Sequence, residues 1–488
     1  MTPHIDRRLL LTGGLGATAA GILAAPSAAL AAPGRPGAGT PTDAQVYGVP
    51  TVNPLVAQRA DPFITHPVEG MYYFTGSVPE YDRLVVRGAP TIAGLATAGE
   101  SVVWRRPVTG RMGGHIWAPE LHRIDGRWYI YFAAGDSDNV FNIRMYVLES
   151  GLPDPRDPAG WGAPREVTTP WGHFKLDATT FEHHGRRYYV WAQGEPEIAV
   201  NTSLYIAEMA SPLAITGTPV RISTPTLPWE IRGYRVNEGA AVLVRNGRVF
   251  LTYSASATDA NYCMGMLTAD ADADLLDPLS WRKSPEPVFT TNEQTRQYGP
   301  GHNSFTVAED GVTDVLVYHA RDYRDIVGDP LYDPNRHARV QKVYWHPDGT
   351  PLFGVPVGEG GPIVRLSPAD APDAHVRHAG FVARVDAGVR ELADSQFRFV
   401  PGFAGAGTES IQSVNHPGRY LRVDGGVVRV DAVEAGDGFA AQASFTRTRT
   451  NKGVSLQLAD GTGRYLLHDR GVLTAGPAAN KRTAFVLG

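Results

Sequence analysis

The chain has 488 residues, 43% of them apolar, and a net charge of −5 spread without charge blocks. That is enough chain for two or three domains with real cores, and the dispersed charge excludes a nucleic-acid or anionic-membrane partner. After the first thirty residues no apolar run approaches the roughly 18 residues needed to span a bilayer, and a lone Cys263 excludes an intramolecular disulfide, leaving burial to supply stability.

Residues 1–31 read as an export signal. Arg7-Arg8 precede Leu9-Leu10-Leu11 and a mild Gly/Ala-rich stretch to Ala25, and Ala29-Leu30-Ala31 forms a small-residue cleavage site. The paired arginines favour the twin-arginine route over an ordinary secretory peptide, and a route for folded cargo suits a chain with one cysteine. A secreted, monomeric protein is expected. Residues 32–45, rich in Pro, Gly, Ala and Thr, read as a disordered mature N-terminus.

From 46 to 357 a turn glycine leads five times into aromatic and β-branched residues. The copies start at Gly70, Gly126, Gly185, Gly247 and Gly311, at intervals of 56, 59, 62 and 64. Strand-length runs alternate with turn pairs such as Asp125-Gly126 and Asn246-Gly247, and long helical periodicity is absent. The period is too long for a helical solenoid and suits four-stranded propeller blades. Residues 358–374 have a linker's composition. From 375 to 488 a second repeat follows. Phe397, Phe445 and Phe485 each close a short strand, and Gly418-Arg-Tyr-Leu-Arg-Val-Asp and Gly463-Arg-Tyr-Leu-Leu-His-Asp are near copies, with a weaker one at Gly380. The fold class expected is all-β, a five-bladed β-propeller followed by a C-terminal β-trefoil.

What precedes each propeller glycine carries the chemistry. Asp61 lies nine residues before Gly70, Asp177 eight before Gly185, Glu238 nine before Gly247 and His302 nine before Gly311; Trp117 holds the same place before Gly126, with Glu120 close behind. If each sits on the innermost strand of its blade, three carboxylates and a histidine converge on one channel. That set suits inverting glycoside hydrolysis, in which a carboxylate base and a protonated acid stand roughly 6.5–9.5 Å apart around a water. A third carboxylate disfavours ionisation of the acid by its charge. Bland readings exist for each: a turn residue for Asp61, a hydroxyl-satisfied strand residue for Asp177, core residues for His302 and Trp117, and a structural partner for Glu120. Glu238 lies in an apolar strand, where an unpaired charge is costly. Asp270-Ala-Asp-Ala-Asp274 imitates a calcium loop but has Leu275 where glycine is required.

Residues 46–357 resemble glycoside hydrolase family 43. The matching motifs are Ala60-Asp61-Pro62-Phe63, His115-Ile-Trp-Ala-Pro-Glu-Leu121, Leu176-Asp177-Ala178, Asn237-Glu238-Gly239 and Gly301-His302-Asn303-Ser304. The resemblance implies Asp61 as general base, Glu238 as general acid and Asp177 as the residue that tunes and orients. It implies no cofactor for the chemistry, a structural calcium in the channel near His302, and a sugar-contacting arginine at Arg336 or Arg339, of which Arg336 is favoured by its spacing to Trp345. Trp117 would face substrate. Wording such as Tyr318-His-Ala-Arg-Asp322 resembles the family's exo-acting α-L-arabinofuranosidases, and the C-terminal repeat resembles carbohydrate-binding module family 42, with His416 and Tyr420 of the intact Asn415-His416-Pro-Gly-Arg-Tyr420 unit as sugar contacts and one good pocket expected. The partner implied is arabinan or an arabinose-decorated polysaccharide. Rival readings are an endo-arabinanase or β-xylosidase on the same machinery, set apart by loops around 78–90, 287–300 and 322–335, and a non-catalytic sugar-binding propeller.

Overall fold

The computed structural model describes residues 49–488 apart from 51, 436 and 479. The expected export signal (1–31) and disordered N-terminus (32–45) lie outside the described residues.

Alternating apolar strands joined by tight turns build five antiparallel sheets. Blade 1 comprises Ala60–Ile64, Tyr72–Ser77, Arg83–Ala89 and Ser101–Arg105; blade 2 Ile116–Ile124, Arg127–Ala134, Arg144–Ser150 and Arg165–Glu166. Blade 3 comprises Lys175–His183, Arg186–Gln193, Ser203–Ser211 and Ala214–Ser223; blade 4 Asn237–Arg245, Arg248–Ala255, Cys263–Asp270 and Arg282–Lys283. Blade 5 has Tyr298–Val307, Asp314–Arg321 and His337–Lys342. Its outer edge is completed from the other end of the domain, because Val56 pairs with Ala338 and the Asn53 side chain both donates to the Val340 carbonyl and accepts from its N–H. This seals the ring and leaves no open edge between first and last blades. The repeated glycines sit where the sequence places them: Glu69-Gly70, Asp125-Gly126, His184-Gly185 and Asn246-Gly247 have positive φ at both residues, the two-residue hairpin whose twist matches that of the strands.

The C-terminal domain has twelve strands between Leu366 and Leu487 around its own core of Val364, Leu366, Phe397, Ile411, Leu421, Phe445, Leu456, Leu466 and Phe485. Three hairpins, Ala374–Ala379/Val382–Ala387, Arg419–Asp424/Val427–Ala432 and Tyr465–Asp469/Val472–Gly476, meet one another through pairings of the first with the other two. Two further hairpins, Phe397–Pro401/Glu409–Ser413 and Phe445–Thr450/Gly453–Leu458, and the pairing of Leu366–Pro368 with Phe485–Leu487 complete this three-fold set of strand pairs. Two details differ from the sequence reading. Phe397, Phe445 and Phe485 open their strands instead of closing them. Gly380-Phe381 is a hairpin turn, equivalent to Gly425-Gly426 and Arg470-Gly471, and not the counterpart of Gly418. Gly380 and Gly418 both open a Gly-x-x-x-Arg-Val-Asp run, which falls on the second strand of the first hairpin but on the first strand of the second, so the wording alone sets the first copy out of register.

The linker expected at 358–374 is shorter and is tied down. Leu366–Pro368 already pairs with Phe485–Leu487, so the second sheet begins nine residues before 375. The buried Arg398 guanidinium donates to the carbonyls of Gly358, Glu359 and Gly361 at 2.8, 2.9 and 3.0 Å. Gly360 pairs with Asn53, and the Tyr344 hydroxyl donates to the Gly488 carbonyl. Propeller and C-terminal domain belong to one compact unit, Pro41–Gly488.

Candidate active site

Each of the five inner strands breaks its pairing register near one end, and at that break stands a residue in the left-handed region: Asp61 (φ 51°), Ala118 (47°), Asp177 (56°), Gly239 (57°) and His302 (41°). A bulge of this kind bends the strand and re-aims a side chain that ordinary alternation would send into the sheet. Asp and His tolerate positive φ better than most residues, at a cost on the order of 1 kcal/mol or more. The equal offsets seen in the sequence are therefore out by one residue in two blades. Trp117 and Glu238 precede the bulge residue, while Asp61, Asp177 and His302 occupy it.

Asp61, Asp177, Glu238, His302, Trp117 and Arg336 all line one cavity of about 830 Å³. The Asp61 carboxylate accepts from Ser77 Oγ at 2.6 Å, with Arg336 Nη1 at 3.4 Å and His302 Nδ1 at 3.3 Å from its Oδ1. Burial alone would raise its pKa, but His302, Arg336, His319 and Ser77 outweigh burial and hold the carboxyl far below the ordinary aspartate range. Burial keeps His302 itself below the usual histidine value, so the permanent cation beside Asp61 is Arg336. Asp177 lies 3.7 Å from His302 Nδ1 through Oδ2. Burial, then the charges of Glu238 and Asp61, push Asp177 well above its ordinary value, against a hydrogen bond from the Gly239 N–H. Burial likewise pushes Glu238 up to about 7, helped by Asp61 and opposed by Tyr262 and Arg336. One buried carboxyl is thus held ionised and two are held toward the protonated form. This separation is what acid–base chemistry at neutral pH requires.

Arg336, and not Arg339, reaches the site: it donates to the Tyr81 hydroxyl at 2.9 Å, whereas Arg339 is taken up by Asp322 and the Val357 carbonyl. Trp117 stacks on His115 with centroids 4.8 Å apart. Two buried donors at the cavity wall, Arg336 Nε and Trp117 Nε1, have no hydrogen-bond partner among the described residues. Glu120 pairs with His122 at 2.8 Å, a structural partner as the sequence suggests. Of the three loops expected to shape the cavity, only 322–335 lines it, through Asp329, Pro330 and Leu331; further parts of the wall come from 173–176, 194–202, Tyr234, Val236 and 256–258. Of these, 194–202, Tyr234 and Val236 carry no repeat signature, and nothing in the sequence marks them. A calcium ion near His302 is not supported by the donor set. His302 Nδ1 already faces two carboxylates, and among the described residues no group of three or more His, Cys, Asp or Glu side chains is placed to hold a metal ion.

In the C-terminal domain His416 packs edge-on against His378 (5.3 Å) and Phe381 (5.0 Å), with Arg419 over the Phe381 ring at 3.8 Å. Tyr420, its neighbour in the motif, turns the other way and packs on Phe403 at 4.8 Å, so the two expected sugar contacts do not share a wall. The corrected register exposes a feature the sequence reading missed. His378, Val423 and His468 each stand two residues before their hairpin turn. His378 Nε2 lies 3.0 Å from Asn415 Oδ1 and 3.5 Å from Asp394 Oδ1, and His468 Nε2 lies 2.7 Å from Asp370 Oδ1. Histidine–polar pairs thus occupy two of three equivalent places, each joining one repeat to another; the third, at Val423, is lost.

A ring of five blades with buried acids of opposed protonation on separate inner strands defines a glycoside-hydrolase-type centre. Residues 51–351 match the model of the glycosyl hydrolases family 43, and residues 364–486 that of the alpha-L-arabinofuranosidase B (ABFB) domain. The chain belongs to glycoside hydrolase family 43. It is 58% identical over 377 residues, 77% of this chain and 78% of its relative, to an extracellular exo-alpha-(1->5)-L-arabinofuranosidase of Streptomyces avermitilis. It is 50% identical over 434 residues, 86% and 90% of the two chains, to alpha-L-arabinofuranosidase 43 of Humicola insolens. Among solved structures, an alpha-L-arabinofuranosidase from Lactobacillus brevis superposes with a TM-score of 0.62 at 55% identity, covering 64% of this chain and 98% of that one.

Proposed function

We propose that the protein is a secreted, inverting exo-α-L-arabinofuranosidase that releases arabinofuranose from arabinan or arabinose-decorated polysaccharide, as a monomer with a C-terminal sugar-binding domain. The observation that carries this reading is the opposed protonation of Asp61 and Glu238 within one cavity. Asp61, ionised at every working pH, takes a proton from the water that attacks the anomeric carbon. Glu238, protonated near neutrality, gives its proton to the leaving oxygen. Asp177 tunes the acid by its charge, because each of two neighbouring buried carboxyls resists ionising beside the other once that one is ionised. Arg336 Nε and Trp117 Nε1 are donors available to sugar hydroxyls. No step needs a cofactor, and none runs through calcium.

Exo action is favoured over the endo rival by a closed wall. Tyr81 of blade 1 donates to the Leu331 carbonyl, and the Tyr332 hydroxyl lies 3.4 Å from His115 Nε2, so the loop after blade 5's second strand is tied across to blades 1 and 2. A polymer could not run through that side. Specificity is tested by comparing release from an aryl α-L-arabinofuranoside, an aryl β-D-xyloside and linear arabinan. Proton NMR of the first product tests mechanism: retained anomeric configuration would overturn Asp61 as base. The sugar-binding role of the C-terminal domain rests on His416 with its His378–Phe381 wall, and the His468–Asp370 pair is a second candidate contact site.

A further inference from the structure

Tyr262 stands one residue before the third strand of blade 4 and is almost fully buried. Its hydroxyl donates to Glu238 Oε1 at 2.9 Å. One face of its ring lies parallel to His319, with centroids 5.7 Å apart and planes 6° apart, and His319 Nδ1 in turn accepts the Asp61 backbone N–H at 3.1 Å. The ring also lies against Gly301, where a Cβ would stand 2.5 Å from Tyr262 Cε1 and 2.9 Å from Ser254 Oγ. Gly301 is not among the residues of positive φ, so what it provides is space. The glycine before the channel histidine thereby acquires a reason: it lets an aromatic residue from the neighbouring blade reach the acid.

We propose that Tyr262 is a positioning residue for the proton donor, clamped between Gly301 and His319 so that its hydroxyl holds the Glu238 carboxyl in one orientation. The proposal rests on the reading of Glu238 as general acid. A hydrogen bond from a neutral phenol favours the ionised carboxyl, opposing burial. The phenol keeps its proton throughout, since burial and the charges of Glu238, Asp177 and Asp61 push its own ionisation well above the ordinary range. The other groups facing Glu238 are the Asp61 and Asp177 carboxylates, the Arg336 guanidinium, and His302, whose ring packs against the Gly239 backbone. None of these is altered by removing the Tyr262 oxygen.

The test is Tyr262→Phe, which keeps the ring between Gly301 and His319. The alkaline limb of kcat/KM should move to higher pH by about one unit, the scale of a hydrogen bond to a charged group. Arabino-oligosaccharides should lose on the order of tenfold in kcat, while an aryl arabinofuranoside with a good leaving group should lose much less. In a Glu238→Gln background the same substitution should change nothing further. A uniform loss at all pH values with the limb in place, or a limb moved downward, would overturn the proposal. Glu238→Gln measured alongside separates the two readings. If it leaves the alkaline limb intact, the acid assignment has failed; if it abolishes the limb while Tyr262→Phe does not move it, only the role of Tyr262 has failed.

Discussion

In the propeller five inner strands converge on one cavity, so the bulge residue or the one before it brings five different side chains together. In the C-terminal domain three hairpins meet only at their tips, and each equivalent position faces a different neighbouring repeat. The first geometry allows copies to diverge into base, acid and positioning groups, because only their sum has to work. The second leaves each place separate from the others: histidine–polar pairs stand at two of them and Val423 at the third. A substitution in the channel should therefore disable the whole site, whereas one in a hairpin should remove a fraction of binding.

The largest effects are expected at the two ends of the proton path. Asp61→Asn should lower kcat by roughly 10²- to 10⁴-fold for every substrate, since the base is needed whatever leaves. Glu238→Gln should match that loss on arabinan but spare activated aryl arabinofuranosides, and its alkaline limb should vanish. Equal losses on both substrates would contradict the acid assignment.

Asp177→Asn should act next. The last proton of the Asp177–Glu238 pair leaves against a neighbouring negative charge in the native enzyme and without it in the variant, so the alkaline limb should move to lower pH. Stability should move the other way. Folding raises the Asp177 pKa, so ionisation above the unfolded value near 4 favours the unfolded chain. The Asn variant should melt higher than the parent at pH 7, and the difference should close as pH falls toward 4. A variant less stable than the parent at pH 7 would mean that Asp177 is held chiefly by its hydrogen bond.

The junction comes third. Arg398→Ala strips donors from three carbonyls and should cost about 1–3 kcal/mol, read as a lower denaturation midpoint, with aryl arabinofuranoside kcat unchanged at 25 °C. Because Gly360 pairs with Asn53 at the seam of the ring, ending the chain near Gly358 should destabilise the propeller itself, contrary to what a free linker would allow. The smallest effects belong to the hairpins. His378→Ala and His468→Ala should each weaken retention on arabinan by a few-fold and together by more, leaving small-substrate hydrolysis intact.

By itself the sequence determined the class of fold and singled out the acidic residues that line one cavity. Turn glycines at near-even spacing mark the blades because a hairpin with two positive φ values admits few other residues, and a charged residue in an apolar strand is too costly to be idle. The apolar repeat likewise announced three units after the propeller. Tertiary structure alone decided the bulge that sets Glu238 one residue away from its apparent counterparts, since strand pairing register is a property of two strands and not of one. It decided that Arg336 and not Arg339 faces the channel, that 194–202, Tyr234 and Val236 help to wall it, and that Gly380 is the turn of the first hairpin and not the counterpart of Gly418. It also placed Tyr262 on Glu238 and gave Gly301 its purpose. The first contact joins two strands of one blade and the second joins two blades, and no local pattern of hydrophobicity or turn chemistry records which distant side chain will fill the space a glycine leaves.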